Sequence, residues 1–149
     1  MSHGLIVYLK TTDTCQLNCD HCFTNGSRGS KGWFNVQQSI KFFENLKAVK
    51  PNYSSGHFSF HGGEPMLCRP EMMFEFYYGV RDLWPMLWWT VQTNLTYKID
   101  EGKRNVLEKI CKKSFGTSWD YGIRWKTPTQ YELWKDNVRS LAQEGYDIT

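Results

Sequence analysis

Hydrophobic residues along the chain follow two alternating periods. Short apolar or alternating runs predict β-strands over residues 4–11, 56–61, 86–92 and 114–119. Apolar residues three and four positions apart predict intervening helices, which we expect from an Asn35 N-cap to about Lys50, over 70–83, from Asp100 to about 112, and from a capping box of Thr129 and Glu132 to Gly145. Residues 147–149 predict the start of a fifth strand.

This alternation of strand and helix is typical of an α/β fold with parallel strands and right-handed crossovers. The pattern gives four βα units plus a stub of a fifth strand. In such folds ligands bind at the carboxyl ends of the strands. Polar motifs at the points where the predicted strands end are therefore candidates for a ligand site.

A cluster of cysteines follows the first strand, with Cys15, Cys19 and Cys22 in a C-x3-C-x2-C spacing. Cysteine thiolates hold iron–sulfur clusters, and a four-iron cluster usually takes four of them. Three thiolates would leave one iron open to a small molecule. A zinc site that recruits His21 is an alternative, although this histidine lies between two of the cysteines, and a site without metal is another.

Three further polar motifs follow the other strands. His61-Gly62-Gly63-Glu64-Pro65 follows the second strand, Gln92-Thr93-Asn94 the third, and Ser118-Trp119-Asp120 the fourth. Each could be an ordinary turn, and Glu64 could simply brace its turn. Their common position nevertheless favours one ligand site at one edge of the sheet. We interpret the Trp88-Trp89 pair as core, with one ring on each face of the sheet.

Composition narrows the function classes only slightly. The 149 residues carry a net charge of +3, which is no strong signal for nucleic acid, and no segment is apolar enough over a sufficient length to span a membrane. The start of the chain does not resemble a signal peptide, so we expect a cytoplasmic protein with reduced thiols. We interpret the remaining cysteines, Cys68 and Cys111, as packing or surface residues.

The cysteine spacing after the first strand, with Phe23 beside the last cysteine, resembles the radical S-adenosylmethionine (radical SAM) superfamily. The resemblance implies a partial TIM-like (βα) barrel, a [4Fe-4S] cluster on the three cysteines, and S-adenosylmethionine (AdoMet) on the fourth iron. It implies an enzyme that reductively cleaves AdoMet to a 5′-deoxyadenosyl radical, which abstracts hydrogen from a substrate. A reductant protein such as a flavodoxin or ferredoxin would supply the electron.

The resemblance also implies roles for the other motifs. Gly-Gly-Glu-Pro would meet the amino group of AdoMet, Ser118 and Asp120 its ribose, and Arg124 its carboxylate. Gln-Thr-Asn favours the peptide-modifying and sulfatase-maturing branch over a viperin-like one, which makes a peptide or protein the expected substrate. The implied cofactor-binding residues are Phe23, Gly62, Gly63, Glu64, Gln92, Asn94, Ser118, Asp120 and Arg124.

The chain departs from that superfamily in length, because the usual core has six βα units. We expect residues 1–149 to form a single radical SAM core domain, truncated at its C-terminal side. It could be a naturally small member, one part of a split enzyme that needs a completing partner chain, or a remnant. The alternative function is therefore a non-enzymatic cluster-bearing binding module.

Overall fold

The computed structural model describes residues 3–22, 24, 26, 28, 31–120 and 122–149. Five strands form one parallel sheet in the order β1-β2-β3-β4-β5. The strands are β1 (His3–Thr12), β2 (Tyr53–Gly62), β3 (Met86–Thr93), β4 (Ser114–Thr117) and β5 (Asp147–Ile148). The predicted parallel α/β fold is confirmed, because sequential strands are neighbours and each crossover contains a helix.

Helices fill the connections between the strands. They are α1 (Val36–Val49), α2 (Pro70–Val80), α3 (Glu101–Asn105), which continues as a π-helical turn (Val106–Ile110), and α4 (Pro128–Gln143). A single 3-10 turn, Pro65–Leu67, precedes α2. No helix in the described part of the chain is long and apolar enough to cross a membrane.

Two predicted helix boundaries are wrong. Helix α4 begins earlier than the proposed capping box, since Thr127 is the N-cap, its side chain accepts a hydrogen bond from the Gln130 amide, and Pro128 is the first helical residue. Proline is favoured there because its missing N–H has no partner to lose. Helix α2 ends at Val80 instead of residue 83.

The core lies between one face of the sheet and the helices, and aromatic rings dominate the part of it beneath α1 and α2. Phe43 of α1 lies 5.0 Å from Phe58 of β2, and Phe58 lies 4.7 Å from Trp89 of β3, measured between ring centroids. All three are buried. Edge-to-face and offset ring contacts of this kind add to the free energy of burial.

The opposite face of the sheet carries no helix in the described part of the chain. Trp88 points to this face and is 58% exposed, so the expectation that both members of the Trp88-Trp89 pair are core is wrong for Trp88. Ile6 and Tyr8 of β1 are exposed on the same face. The helices therefore cover the sheet on one side only.

We expect Phe43→Ala to lower the free energy of unfolding by about 3–5 kcal/mol, because it removes a ring from the centre of the aromatic core. Phe42→Ala is the matched control, since this neighbouring ring is 61% exposed. It should change the free energy of unfolding by less than about 1 kcal/mol. Equal losses in the two variants, measured by denaturant unfolding, would contradict this description of the core.

Candidate functional site

The carboxyl ends of β1 to β4 surround one cavity of about 260 Å³. Every strand-end motif singled out in the sequence contributes to its wall, except that Phe23 lies outside the described residues. The predicted residues that line it are Cys15, Cys19, Cys22, Gly62, Gly63, Gln92, Asn94, Ser118, Asp120 and Arg124. Glu64 is the one described member of the predicted set behind the wall, where it is fully buried.

The cysteine loop enters the cavity directly from β1. The Cys15 amide donates to the Gly26 carbonyl over 3.0 Å, and the Leu17 amide donates to Cys15 Sγ over 3.4 Å. All three thiols face the same space, but among the described residues no three Cys, His, Asp or Glu side chains stand close enough together to hold a metal ion. The remaining two cysteines, Cys68 and Cys111, are buried in the core.

Two glycines bring the end of β2 against the start of this loop. Gly62 has φ of 130°, and a Cβ at either Gly62 or Gly63 would clash with a backbone carbonyl, of Thr12 and Thr14 respectively. The Gly63 amide donates to the Thr12 carbonyl over 2.9 Å. Because these glycines have no side chains, the backbone at the end of β2 can contact the backbone at the start of the cysteine loop. The same glycines leave space at the cavity wall.

Glu64 braces the turn that follows. Its carboxylate accepts hydrogen bonds from the Met66 amide at 2.9 Å, the Thr93 hydroxyl at 2.8 Å and the Asn94 amide at 2.7 Å. Burial raises the pKa of Glu64 to about 7, against the opposing effect of these three donors. The carboxylate therefore ties the end of β2 to the end of β3.

Asn94 connects β3 to the cysteine loop through Gln16, a residue that the sequence analysis did not single out. Gln16 Nε2 donates to Asn94 Oδ1 at 3.0 Å and to the Thr96 carbonyl at 2.9 Å, and Asn94 Nδ2 lies 3.5 Å from Cys15 Sγ. An amide side chain placed directly after the first cysteine was the available signal. Its partner could not be read from the sequence, because it lies 78 positions away.

Gln92 reaches across to the end of β4. Its Nε2 donates to Ser118 Oγ at 3.1 Å, and its side chain lies over Gly116, where a Cβ would clash with Gln92 Oε1. Strand β4 ends at Thr117 instead of the predicted residue 119, so Ser118 begins the loop. Gln92 thereby orients a hydroxyl at the cavity wall.

Asp120 and Arg124 form an ion pair with each other, with 2.7 Å between Arg124 Nε and Asp120 Oδ2. His21 Nε2 lies 3.5 Å from the same carboxylate oxygen. The segment after β4 also contacts the cysteine loop through the Arg124 carbonyl, 3.7 Å from Cys19 Sγ, and through Lys126, whose ammonium lies 2.7 Å from Asp20 Oδ2. Asp120 and Arg124 are thus part of the same wall as the cysteines.

The thiols are in a partly desolvated environment. Burial raises the pKa of Cys15 and of Cys19, and the Arg124 guanidinium opposes this rise at Cys19. Ligation to a metal needs the thiolate form, so a nearby cation favours it. Burial also lowers the pKa of His61, which lines the cavity beside Gly62.

Comparison with known proteins identifies this arrangement. A family model described as "4Fe-4S single cluster domain" matches residues 3–113. Three solved structures share the fold: histidine-tagged anSMEcpe with bound AdoMet (TM-score 0.77, 19% identity), native anSMEcpe with bound AdoMet and Cp18Cys peptide (TM-score 0.73, 18%), and the FeFe-hydrogenase maturase HydG from Carboxydothermus hydrogenoformans (TM-score 0.64, 14%). The fold expected from the radical SAM resemblance is confirmed.

These likenesses cover most of this chain but less than half of the others. The three matches span 98%, 100% and 99% of this chain, and 42%, 42% and 35% of the matched chains. No curated protein sequence matches the chain. The matched structures thus establish the architecture of the (βα) units around the cavity.

We expect the stability of the protein to depend on the ionisation of Glu64. Its pKa is raised from 4.5 to about 7, so its contribution to folding is complete below pH 4.5 and is lost as the pH rises through about 7. The loss is at most about 3 kcal/mol. The measured quantity is the free energy of unfolding of the wild type minus that of Glu64→Gln. This difference should decrease as the pH is raised from about 5 to about 8.

At the acidic end of this range, Glu64→Gln should be less stable than the wild type by about 1–3 kcal/mol, because its amide nitrogen would face the backbone N–H of Met66 or of Asn94. Glu71→Gln, an exposed substitution on α2, is the control and should show neither effect. A pH-independent difference for Glu64→Gln would show that the carboxyl does not titrate in this range.

Proposed function

We propose that this chain, which belongs to the family of 4Fe-4S single cluster domains, is a radical SAM enzyme. Its cavity would bind AdoMet beside the cluster. The observation that carries this proposal is the convergence of four strand-end motifs on one cavity that holds three thiols. Three thiolates match the ligand set of a four-iron cluster with one iron open. The chain's other two cysteines are buried in the core and cannot complete the set.

The chain's own residues would divide the work of binding. Cys15, Cys19 and Cys22 hold the cluster, and Arg124 supplies a cation beside Cys19. A reduced [4Fe-4S] cluster held by these thiolates would supply the electron for reductive cleavage of AdoMet. The protein's task is to orient these groups in the cavity.

The remaining wall suits the polar parts of AdoMet. The backbone at Gly62 and Gly63 faces the cavity without side chains, and the Ser118 hydroxyl and Asp120 carboxylate can accept hydrogen bonds from a ribose diol. Arg124 pairs with Asp120 through Nε, and the guanidinium N–H groups that this pair leaves free can bind a carboxylate. Gln92 hydrogen-bonds to Ser118 and Asn94 to Gln16, and these bonds position the cavity wall. Phe23 remains a proposed contact beside the third cysteine.

We assign a peptide or protein as the substrate, and a flavodoxin or ferredoxin as the electron donor. Two observations support the substrate class. The Gln-Thr-Asn and Ser-x-Asp motifs resemble those of the peptide-modifying branch. Native anSMEcpe, which shares the fold, has been solved with a bound Cp18Cys peptide. We place the protein in the cytoplasm, where its thiols stay reduced.

Formation of 5′-deoxyadenosine tests the proposal. The anaerobically reconstituted and reduced protein should contain about four irons per chain and release 5′-deoxyadenosine from AdoMet, as measured by mass spectrometry. Cys19→Ala should lose the product and most of the iron, because it removes a cluster ligand. Cys68→Ala, which removes a thiol from the core, is the matched control and should keep both.

Three results would count against it. A colourless protein that binds zinc stoichiometrically would remove the cluster from the proposal. A four-iron cluster without product would favour the binding-module alternative or the need for a completing chain. Equal loss of iron in Cys19→Ala and Cys68→Ala would show that the cavity thiols are not the ligands.

We expect Ser118→Ala to weaken AdoMet binding about five-fold, the effect of losing one hydrogen bond of about 1 kcal/mol, while the iron content stays unchanged. Ser55→Ala is the matched control, because Ser55 lies near the amino-terminal end of β2, away from the cavity. It should bind AdoMet as the wild type does. Equilibrium binding to the reconstituted protein measures both. Unchanged affinity in Ser118→Ala would remove this hydroxyl from the site.

A further inference from the structure

Strand β1 has a long outer edge. It is the first strand of the sheet and pairs on its inner side with β2 from His3 to Thr12. In the described part of the chain, its outer side is bridged only at Thr12, antiparallel to Trp33. Among the described residues, the outer edge over residues 4–10 therefore has backbone donors and acceptors without a strand partner.

This edge has few of the features that usually block strand pairing. Residues 4–9 contain no proline and no charge, and the charge of Lys10 is engaged by Asp13. Ile6 and Tyr8, on the helix-free face of the sheet, are 69% and 72% exposed. A long and apolar edge of this kind is a template for an added strand.

The sequence of the edge is self-complementary in the antiparallel direction. If Val7 lies on a two-fold axis, Leu5 faces the partner's Leu9, and Ile6 faces the partner's Tyr8. Pairs of an aromatic with a β-branched residue are among the favourable cross-strand pairs, and like residues meet on the other face. An isologous interface needs one patch that matches itself in this way.

We propose that two copies of this chain associate through antiparallel pairing of their β1 edges, centred on Val7, into one continuous ten-stranded sheet. The interaction is independent of the proposed enzymatic function. Because the two β1 strands run in opposite directions, the two cysteine cavities lie at opposite ends of the dimer. Neither cavity is covered by the interface.

A second copy fits this edge better than a substrate peptide does. The carboxyl-terminal end of the outer edge, which is nearest the cavity, is already occupied. The Phe34 amide donates to the Thr11 carbonyl over 2.9 Å, and the Asp13 amide donates to the Gly32 carbonyl. A peptide strand paired with residues 4–10 would have no path along the edge to the cavity. The self-complementary pattern has no role in binding an unrelated peptide.

Sedimentation of the anaerobically reconstituted protein, from about 1 to about 100 µM, tests the proposal. The wild type should reach twice the mass of one chain. The double variant Ile6→Lys and Tyr8→Lys should remain a monomer, because pairing would place like charges directly opposite each other. Trp88→Lys is the matched control, since Trp88 is also exposed on the same face but lies on β3, away from the edge.

A monomeric wild type, a dimeric double variant, or dissociation by Trp88→Lys would each overturn the proposal. Hydrogen exchange of the wild type gives a readout that needs no variant. Amides of residues 4–10 that point to the outer edge should lose protection on dilution, whereas those of β3 should not. Protection of β1 that is independent of protein concentration would also overturn it.

Discussion

A single buried carboxylate holds together the parts from which the cavity is built. Glu64 accepts hydrogen bonds from the backbone of the turn after β2 and from both the side chain of Thr93 and the backbone of Asn94. A buried acid has a high desolvation cost, and here three donors offset part of it. Because its partners lie in the turn after β2 and at the end of β3, the spacing between the ends of these two strands at the cavity depends on this group.

The position of the cysteine loop follows from that arrangement. The backbone at Gly62 and Gly63 lies against Thr12 and Thr14. Gln16 hydrogen-bonds to the side chain of Asn94, and the backbone amide of Asn94 donates to Glu64. The loop is thus attached to β2 by close backbone contact and to β3 by a pair of side-chain amides. Contacts from Cys19 and Asp20 to the segment after β4 complete its support.

The fold was predictable because its signals are local and repeated. The alternation of strand and helix gave the parallel sheet, and the position of each motif after a strand gave the edge at which the cavity lies. Pairwise contacts were not predictable in this way. The Gln16–Asn94 and Gln92–Ser118 hydrogen bonds join residues far apart in sequence. The start of α4 did have a local signal, because Pro128 directly after Thr127 favours Thr127 over Thr129 as the N-cap.

The glycine contacts have a consequence for how this sequence can vary over evolutionary time. A Cβ at Gly26 would lie 2.7 Å from the Cys15 Cβ, and at Gly62 or Gly63 it would clash with backbone, so all three sites tolerate no other residue without displacing the loop. The wall formed by Ser118, Asp120 and Arg124 consists of side chains on a loop and has no such restriction. The β1–β2 side of the cavity is therefore fixed by steric necessity, whereas its β4 side is constrained by the contacts that its side chains make.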